Sequence, residues 1–315
     1  MIIALALIKI FVMIIPGYVA RKFNTFKKST SIELATVATT VTYPCMILSS
    51  MQLEYSCQVV KNALIIVLIF TILILVLLLL AKLLVKIKNI NVNQSNLFIF
   101  MSVFGNTGMI GVVVLNSLFG QEAAFYGILC DAVYDIFMFS VGMQMVKMGG
   151  SNIKDKFRKK TFLRSLMNPC FVSVILGLLL FSAQISLPNV FKESIEIIGS
   201  ATPAMAMLIL GIQLATIPIK DFFSNSIIFW TCFLKLLVTP FLALLIVHQV
   251  TWMPDLLKLV IVIQAGMPVA LSSVVFAQKF DRDIDFATKG TLLSTLLSIV
   301  TIPITAICAQ YVLFP

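Results

Sequence analysis

Two aspartates, Asp131 and Asp135, stand four residues apart inside a long apolar run, the spacing that puts both carboxylates on one face of a helix. Of the 13 acidic residues only these two lie well inside such a run, and each would cost about 2.5 to 3.5 kcal/mol at the centre of a membrane helix. Groups that expensive face a cavity or a partner. They read either as a proton or Na⁺ coupling pair or as a structural pair with Lys235, which lies roughly 12 Å deep in another apolar run at 1.5 Å per residue. Lys235 has two readings of its own: it snorkels back to water, or it neutralises an aspartate or an anionic substrate.

Two further stretches carry polar chemistry where leucine would be expected. Residues 104–111 read FGNTGMIG and residues 264–268 read QAGMP, both within apolar runs. Gly105, Gly108 and Gly111 lower helix propensity and permit close backbone approach; Gly266 and Pro268 do the same in the second stretch, where Pro268 also removes a backbone donor. Both helices therefore read as interrupted at mid-membrane. Exposed backbone is tolerable there only beside protein or a watery cavity, and freed helix ends carry partial charges that hold an ion or a carboxylate. The candidate substrate site is Asn106, Thr107 and Gly108 on one break and Gln264, Gly266, Met267 and Pro268 on the other. The competing reading of each G-x-x-G spacing is helix packing alone.

The elements that hold these groups are membrane helices. The chain of 315 residues is 60% hydrophobic and 11% charged, with mean hydropathy +1.07, whereas a soluble domain carries about 25% charged residues. Runs long enough to cross a ~30 Å hydrocarbon core lie at 2–20, 32–50, 63–84, 96–118, 123–146, 166–182, 195–215, 227–250, 256–277 and 288–313. Alternation of apolar and polar residues is absent, so the ten spans are helices rather than barrel strands. The first run is not read as a cleaved signal, since Arg21 and Lys22 follow it and no small-x-small site precedes them.

Charge gives the orientation. If loops alternate, Lys61, Lys192 and Lys258 fall on one side; apart from Lys9 and Lys235 inside spans, the rest of the 23 lysines and arginines fall on the other. The basic side is cytoplasmic, which places both termini outside in a multi-pass protein of the cytoplasmic membrane. The net charge of +10 is thus a topology signal, and the basic loops lack the aromatic pattern that stacks nucleic acid bases. The six cysteines are scattered with no C-x-x-C, and His248 is the single histidine, so no metal site or His-based catalysis is expected.

The basic stretch 149–164 separates five spans from five. Pro44 and Pro203, expected to break spans two and seven, lie 159 positions apart, and Gly105 and Gly266 lie 161 apart. Near-equal offsets point to a duplicated unit. An odd number of spans per unit makes the second enter the membrane from the opposite side, an inverted repeat, with a first unit at 1–148, a linker at 149–164 and a second unit at 165–315.

In order along the chain, PGYVARKF, TYPCMI, GNTGMIG, LKLLVTP, AGMPVALSS with FDRD, and GTLLSTLLSIVTIPI resemble the auxin efflux carrier family, in its bacterial branch of small organic-anion permeases. The resemblance implies ten helices in two inverted five-helix repeats, the fold of sodium/proton antiporters and bile-acid symporters. Helices 1, 2, 6 and 7 are then a scaffold and 3–5 and 8–10 a transport core, with broken helices 4 and 9 crossing beside the substrate. It further implies that Asn106 meets a substrate carboxylate, that Gly266 and Pro268 form the second break, and that a homodimer assembles through the scaffold. One departure is Val113, where the family often has proline, so that glycine alone must loosen span four.

The expected function is secondary transport of a small organic anion such as malate or an auxin-like acid, with no cofactor beyond a coupling proton or Na⁺. A bile-acid-type sodium symporter and a non-transporting membrane sensor are the alternatives, the latter separated by a flux assay. An enzyme is not expected. Tyr134-Asp135 mimics half of an intramembrane aspartyl protease site, but no G-x-G-D accompanies it, and no G-x-x-x-x-G-K-[ST] nucleotide loop is present.

Overall fold

The computed structural model describes residues 8–148, 167–216 and 226–313; the linker at 149–164 lies outside them. Among the described residues the chain is helical without strands. Six helices among the described residues are long and apolar enough to cross a membrane: Ser29–Ser50, Cys57–Ile87, Thr107–Met148, Asn189–Leu214, Ser226–Gln249 and Ile284–Leu313. The third of these is too long for one crossing. Its 42 residues would extend about 63 Å at 1.5 Å per residue. It turns at Gly120, whose φ of 78° and ψ of −165° are essentially glycine-only. No atom lies near a Cβ placed there, so backbone conformation rather than space selects glycine. The turn coincides with the polar gap between spans four and five.

Numbered along the chain, α1 is Ile14–Lys22, α2 Ser29–Ser50, α3 Cys57–Ile87, α4 Val92–Val103, α5 residues 107–119, and α6 residues 121–148. They are followed by α7 Pro169–Ser182, α8 Asn189–Leu214, α9 Ser226–Gln249, α10 Asp255–Ala265, α11 Ser272–Lys279 and α12 Ile284–Leu313. Local signals set several starts. Ser56 caps α3 by accepting from Val59 N at 3.1 Å, and Asn168 caps α7 by accepting from Phe171 N at 2.8 Å, with Pro169 in the first turn. The helices outrun the apolar windows where charged residues such as Lys61 and Lys192 reach water beyond them.

The prolines act less abruptly than their type predicts. Pro44 follows a π-helical turn, Ala38–Thr42, and α2 continues through it. Pro240 follows a similar turn, Leu234–Val238, in α9. Pro203 instead opens the second half of α8 after a turn at Ala201. A proline without an N–H leaves a ladder position empty, and a widened turn absorbs the mismatch in α2 and α9.

Two sets of close contacts stand out within one continuous core. Helices α1 and α8 meet backbone to backbone: a Cβ on Gly17 would strike the Leu208 carbonyl oxygen, and one on Gly211 the Ile14 carbonyl oxygen. Helix α2 joins them, with Gly199 of α8 lying where a Cβ would come 2.8 Å from Met46 Cα, and Gly177 of α7 resting on Met51. The second set is an aromatic cluster in which Phe100–Phe104 and Phe70–Tyr134 ring centroids are 4.9 Å apart and Phe100–Phe276 5.5 Å.

Gly211→Val inserts bulk against the α1 backbone, which cannot rotate away as a side chain could. Overpacking costs of about 1 to 3 kcal/mol are typical, so the detergent-solubilised variant is expected to melt earlier than the parent. An unchanged midpoint would show that α1 and α8 are not held this closely.

Candidate functional site at the crossed helix breaks

Two chain breaks meet in the interior. Helix α4 ends at Val103 and α5 begins at Thr107; α10 ends at Ala265 and α11 begins at Ser272. The intervening segments lie antiparallel, bridged at Gly105 and Val269. Asn106 N donates to Pro268 O at 2.7 Å and Ala270 N donates to Phe104 O at 3.1 Å, while Val269 N donates to Ser294 Oγ of α12 at 3.0 Å. Each break thereby supplies hydrogen-bond partners for the other. Pro268 contributes a carbonyl and, lacking an N–H, has no donor to satisfy.

The three glycines of FGNTGMIG accommodate three different side chains. At Gly105 a Cβ would lie 2.9 Å from Lys235 Cε and 3.0 Å from its Nζ. At Gly108 it would lie 2.6 Å from Asp131 Oδ2 and 2.8 Å from the Tyr43 hydroxyl. At Gly111 it would overlap the Gln264 amide oxygen. Gly266 differs from all three. Its φ is −80°, and a Cβ would meet only ordinary contacts, Pro240 Cβ at 3.4 Å being nearest. The close approach expected there is absent because the second break is opened by the carbonyl-only Pro268 and by Ser294, not by a missing side chain.

Lys235 is 0% exposed. Its Nζ donates to Val103 O at 3.0 Å, to Ala265 O at 3.3 Å and to the Tyr134 hydroxyl at 3.1 Å. The side chain therefore neither snorkels nor pairs with Asp131 or Asp135. Its depth along α9 was legible, but the helix's rotation points it inward, to carbonyls at the ends of α4 and α10.

Asp131 and Asp135 are both half-buried on α6. Thr107 Oγ1 donates to Asp131 Oδ1 at 2.6 Å, and the Tyr43 hydroxyl of α2 donates to Oδ2 at 2.9 Å. Asp135, one turn on, has no hydrogen bond or ion pair among the described residues. Asn106 stands at the start of α5, partly exposed, and its side-chain amide is likewise without a hydrogen bond among the described residues. Thr107, Gly108, Met267 and Pro268 are buried. Gln264 is also fully buried, with Nε2 donating to Gly127 O at 3.0 Å and Oε1 unpartnered against Gly111. It braces α10 against α5 and α6 instead of facing an opening. Val113 opens the regular α-helical part of α5; the break lies upstream, at 104–106.

Tyr43, Ser294 and Gly127 join this network without having been singled out as sites, and Tyr134, noted in sequence only as Asp135's neighbour in a protease-like pair, joins it through Lys235. Tyr43 stood beside Pro44 in TYPCMI, but its phenol carries no local signal of a partner 88 positions away. A polar cleft of about 160 Å³ opens between α2 and α8 on one side and the Gly120 turn on the other, lined by Ser49, Ser50, Asn116, Gln121, Glu196 and Ser200 among others. Gln121 Nε2 spans it, donating to Ser49 O at 2.8 Å.

The chain is 23% identical over 304 residues to an uncharacterized transporter of Methanocaldococcus jannaschii, covering 93% of this chain and 94% of that one. It is 22% identical to the uncharacterized transporter YfdV of Escherichia coli K12 over 62% of each chain. Auxin efflux carrier component 3 of Arabidopsis thaliana is 26% identical over 146 residues, 45% of this chain and 22% of that protein. The model of the membrane transport protein family matches residues 2–306, so the chain, an integral membrane protein with several apolar helices, belongs to that family, the one to which its resemblance to auxin efflux carriers pointed.

Proposed function

We propose that the protein is a secondary transporter of a small organic anion in the cytoplasmic membrane, working by alternating access around the crossing of α4–α5 with α10–α11. The observation that carries the reading is the unpartnered amide of Asn106 at the positive end of α5, where a carboxylate finds both a hydrogen-bond donor and a helix N-terminus. The proposed plan is ten spans in two inverted five-helix repeats, 1–148 and 165–315. Helices α1, α2, α7 and α8 form the scaffold, which also carries a homodimer contact, and the remaining helices form the moving core. Both termini face outward and 149–164 faces the cytoplasm.

The α6 carboxylates supply the coupling. An anion arriving at Asn106 approaches Asp131 and Asp135, and like charges in a low-dielectric cleft repel strongly. Asp131 already has a donor on each oxygen. Asp135, without such partners, is the group that takes up a proton or Na⁺ and makes room electrostatically for the substrate. Anion and cation then bind together, which is symport.

Asn106→Ala removes a hydrogen bond to a charged group, and the apparent KM in proteoliposomes supplied with labelled carboxylic acids is expected to rise about 10- to 100-fold. Gly266→Ala should leave it unchanged, because its Cβ has room. Equal affinity of the parent and Asn106→Ala would remove Asn106 from the site.

Asp135→Asn is expected to weaken the dependence of flux on imposed pH or Na⁺ gradients more than it weakens substrate binding, with Asp131→Asn doing so less. Should both variants keep full gradient dependence, the α6 carboxylates are structural and coupling does not pass through them.

Single cysteines in a cysteine-free background test orientation: one near Glu122 should label from outside and one within 149–164 only after permeabilisation. The reverse pattern would overturn the topology.

A further inference from the structure

We propose that the Lys235 ammonium is a resident cation of the crossing: it fills the position between the C-terminal ends of α4 and α10 that a dissolved metal ion would otherwise take, so the crossing itself binds no Na⁺. Broken-helix transporters generally coordinate cations with unwound carbonyls and half-helix C-termini. Here those oxygens, Val103 O and Ala265 O, are met by Nζ at 3.0 and 3.3 Å, with the Tyr134 hydroxyl as a third oxygen at 3.1 Å. Three oxygen neighbours match the three hydrogens of an ammonium.

The charges match as well. Each helix C-terminus presents roughly half a negative elementary charge, and one ammonium balances two such ends. The space is shaped to the side chain, since Gly105 yields the volume next to Cε and Nζ and Lys235 is 0% exposed. A soluble ion would have to displace a covalently tethered one. On the transporter reading above, ion coupling then falls to α6 alone, and the alternative of a sodium symporter with an ion at the crossing is disfavoured.

The test uses thermal unfolding of purified protein at constant ionic strength in sodium, choline or ethylammonium chloride. It is done in an Asp135→Asn background so that a cation held by α6 is not counted. With Lys235 intact, the midpoints should coincide in the three salts. Adding Lys235→Ala should lower the midpoint by roughly 5 to 10 °C, and Na⁺ or ethylammonium, but not the bulkier choline, should restore part of it with saturation. Lys235→Met, which refills the space without charge, should be low in all three salts.

The proposal is overturned by a saturable gain with Na⁺ while Lys235 is present, by an alanine variant that responds to none of the salts, or by a methionine variant as stable as its parent. The salt series on the lysine-containing protein decides even if neither variant accumulates. No substrate is involved, so failure here is distinguishable from failure of the transport reading, which flux alone reports.

Discussion

Backbone that leaves the helix in the buried interior of a membrane protein must find hydrogen-bond partners there, because each orphaned group costs several kcal/mol. The crossing meets this constraint by making each break the partner of the other, through Asn106 N to Pro268 O and Ala270 N to Phe104 O. Neither segment would be tolerable alone. The fold around them follows: α12 must pass close enough to lend Ser294 to Val269, and α9 must present Lys235 to the carbonyls where α4 and α10 stop.

The same arrangement sorts charge. The two helices that end at the crossing direct their negative ends to one lysine, and α5, which begins there, has Thr107 in its first turn bonded to Asp131. Lysine and aspartate thus sit on opposite electrical sides of the break instead of forming an ion pair with each other. On the proposed transport reading, a carboxylate near Asn106 would be drawn by the helix end and repelled by α6, a balance that a proton or cation would tip.

Helix α6 is linked to α2 by polar contacts and to α7 by the Phe125–Phe181 ring pair, 5.4 Å between centroids. Tyr43 of α2 reaches Asp131 of α6, and Gln121 of α6 reaches the end of α2 through Ser49 O. Glycine contacts hold α1 against α8, and the Phe100, Phe104, Tyr134 and Phe70 rings pack together, both within one continuous hydrophobic core.

Read alone, the residues determined what depends on composition and on near neighbours in the chain. Apolar length and the absence of alternation established membrane helices, glycines and proline marked both breaks, and the i, i+4 spacing put Asp131 and Asp135 on one face. The polar gap near Gly120 separated two helices that a length criterion would merge. What remained undecided were relations through space. Rise per residue gives the depth of Lys235 but not the direction it faces, so water, an aspartate and an anionic substrate stayed open as partners, and the carbonyls were found only where α4 and α10 end beside it. Gly105, Gly108, Gly111 and Gly266 look alike in sequence because a missing side chain carries no record of what occupies its space. Only tertiary packing assigned lysine, aspartate with tyrosine, and glutamine to the first three and no close neighbour to the fourth, because each of those contacts joins residues from separate helices.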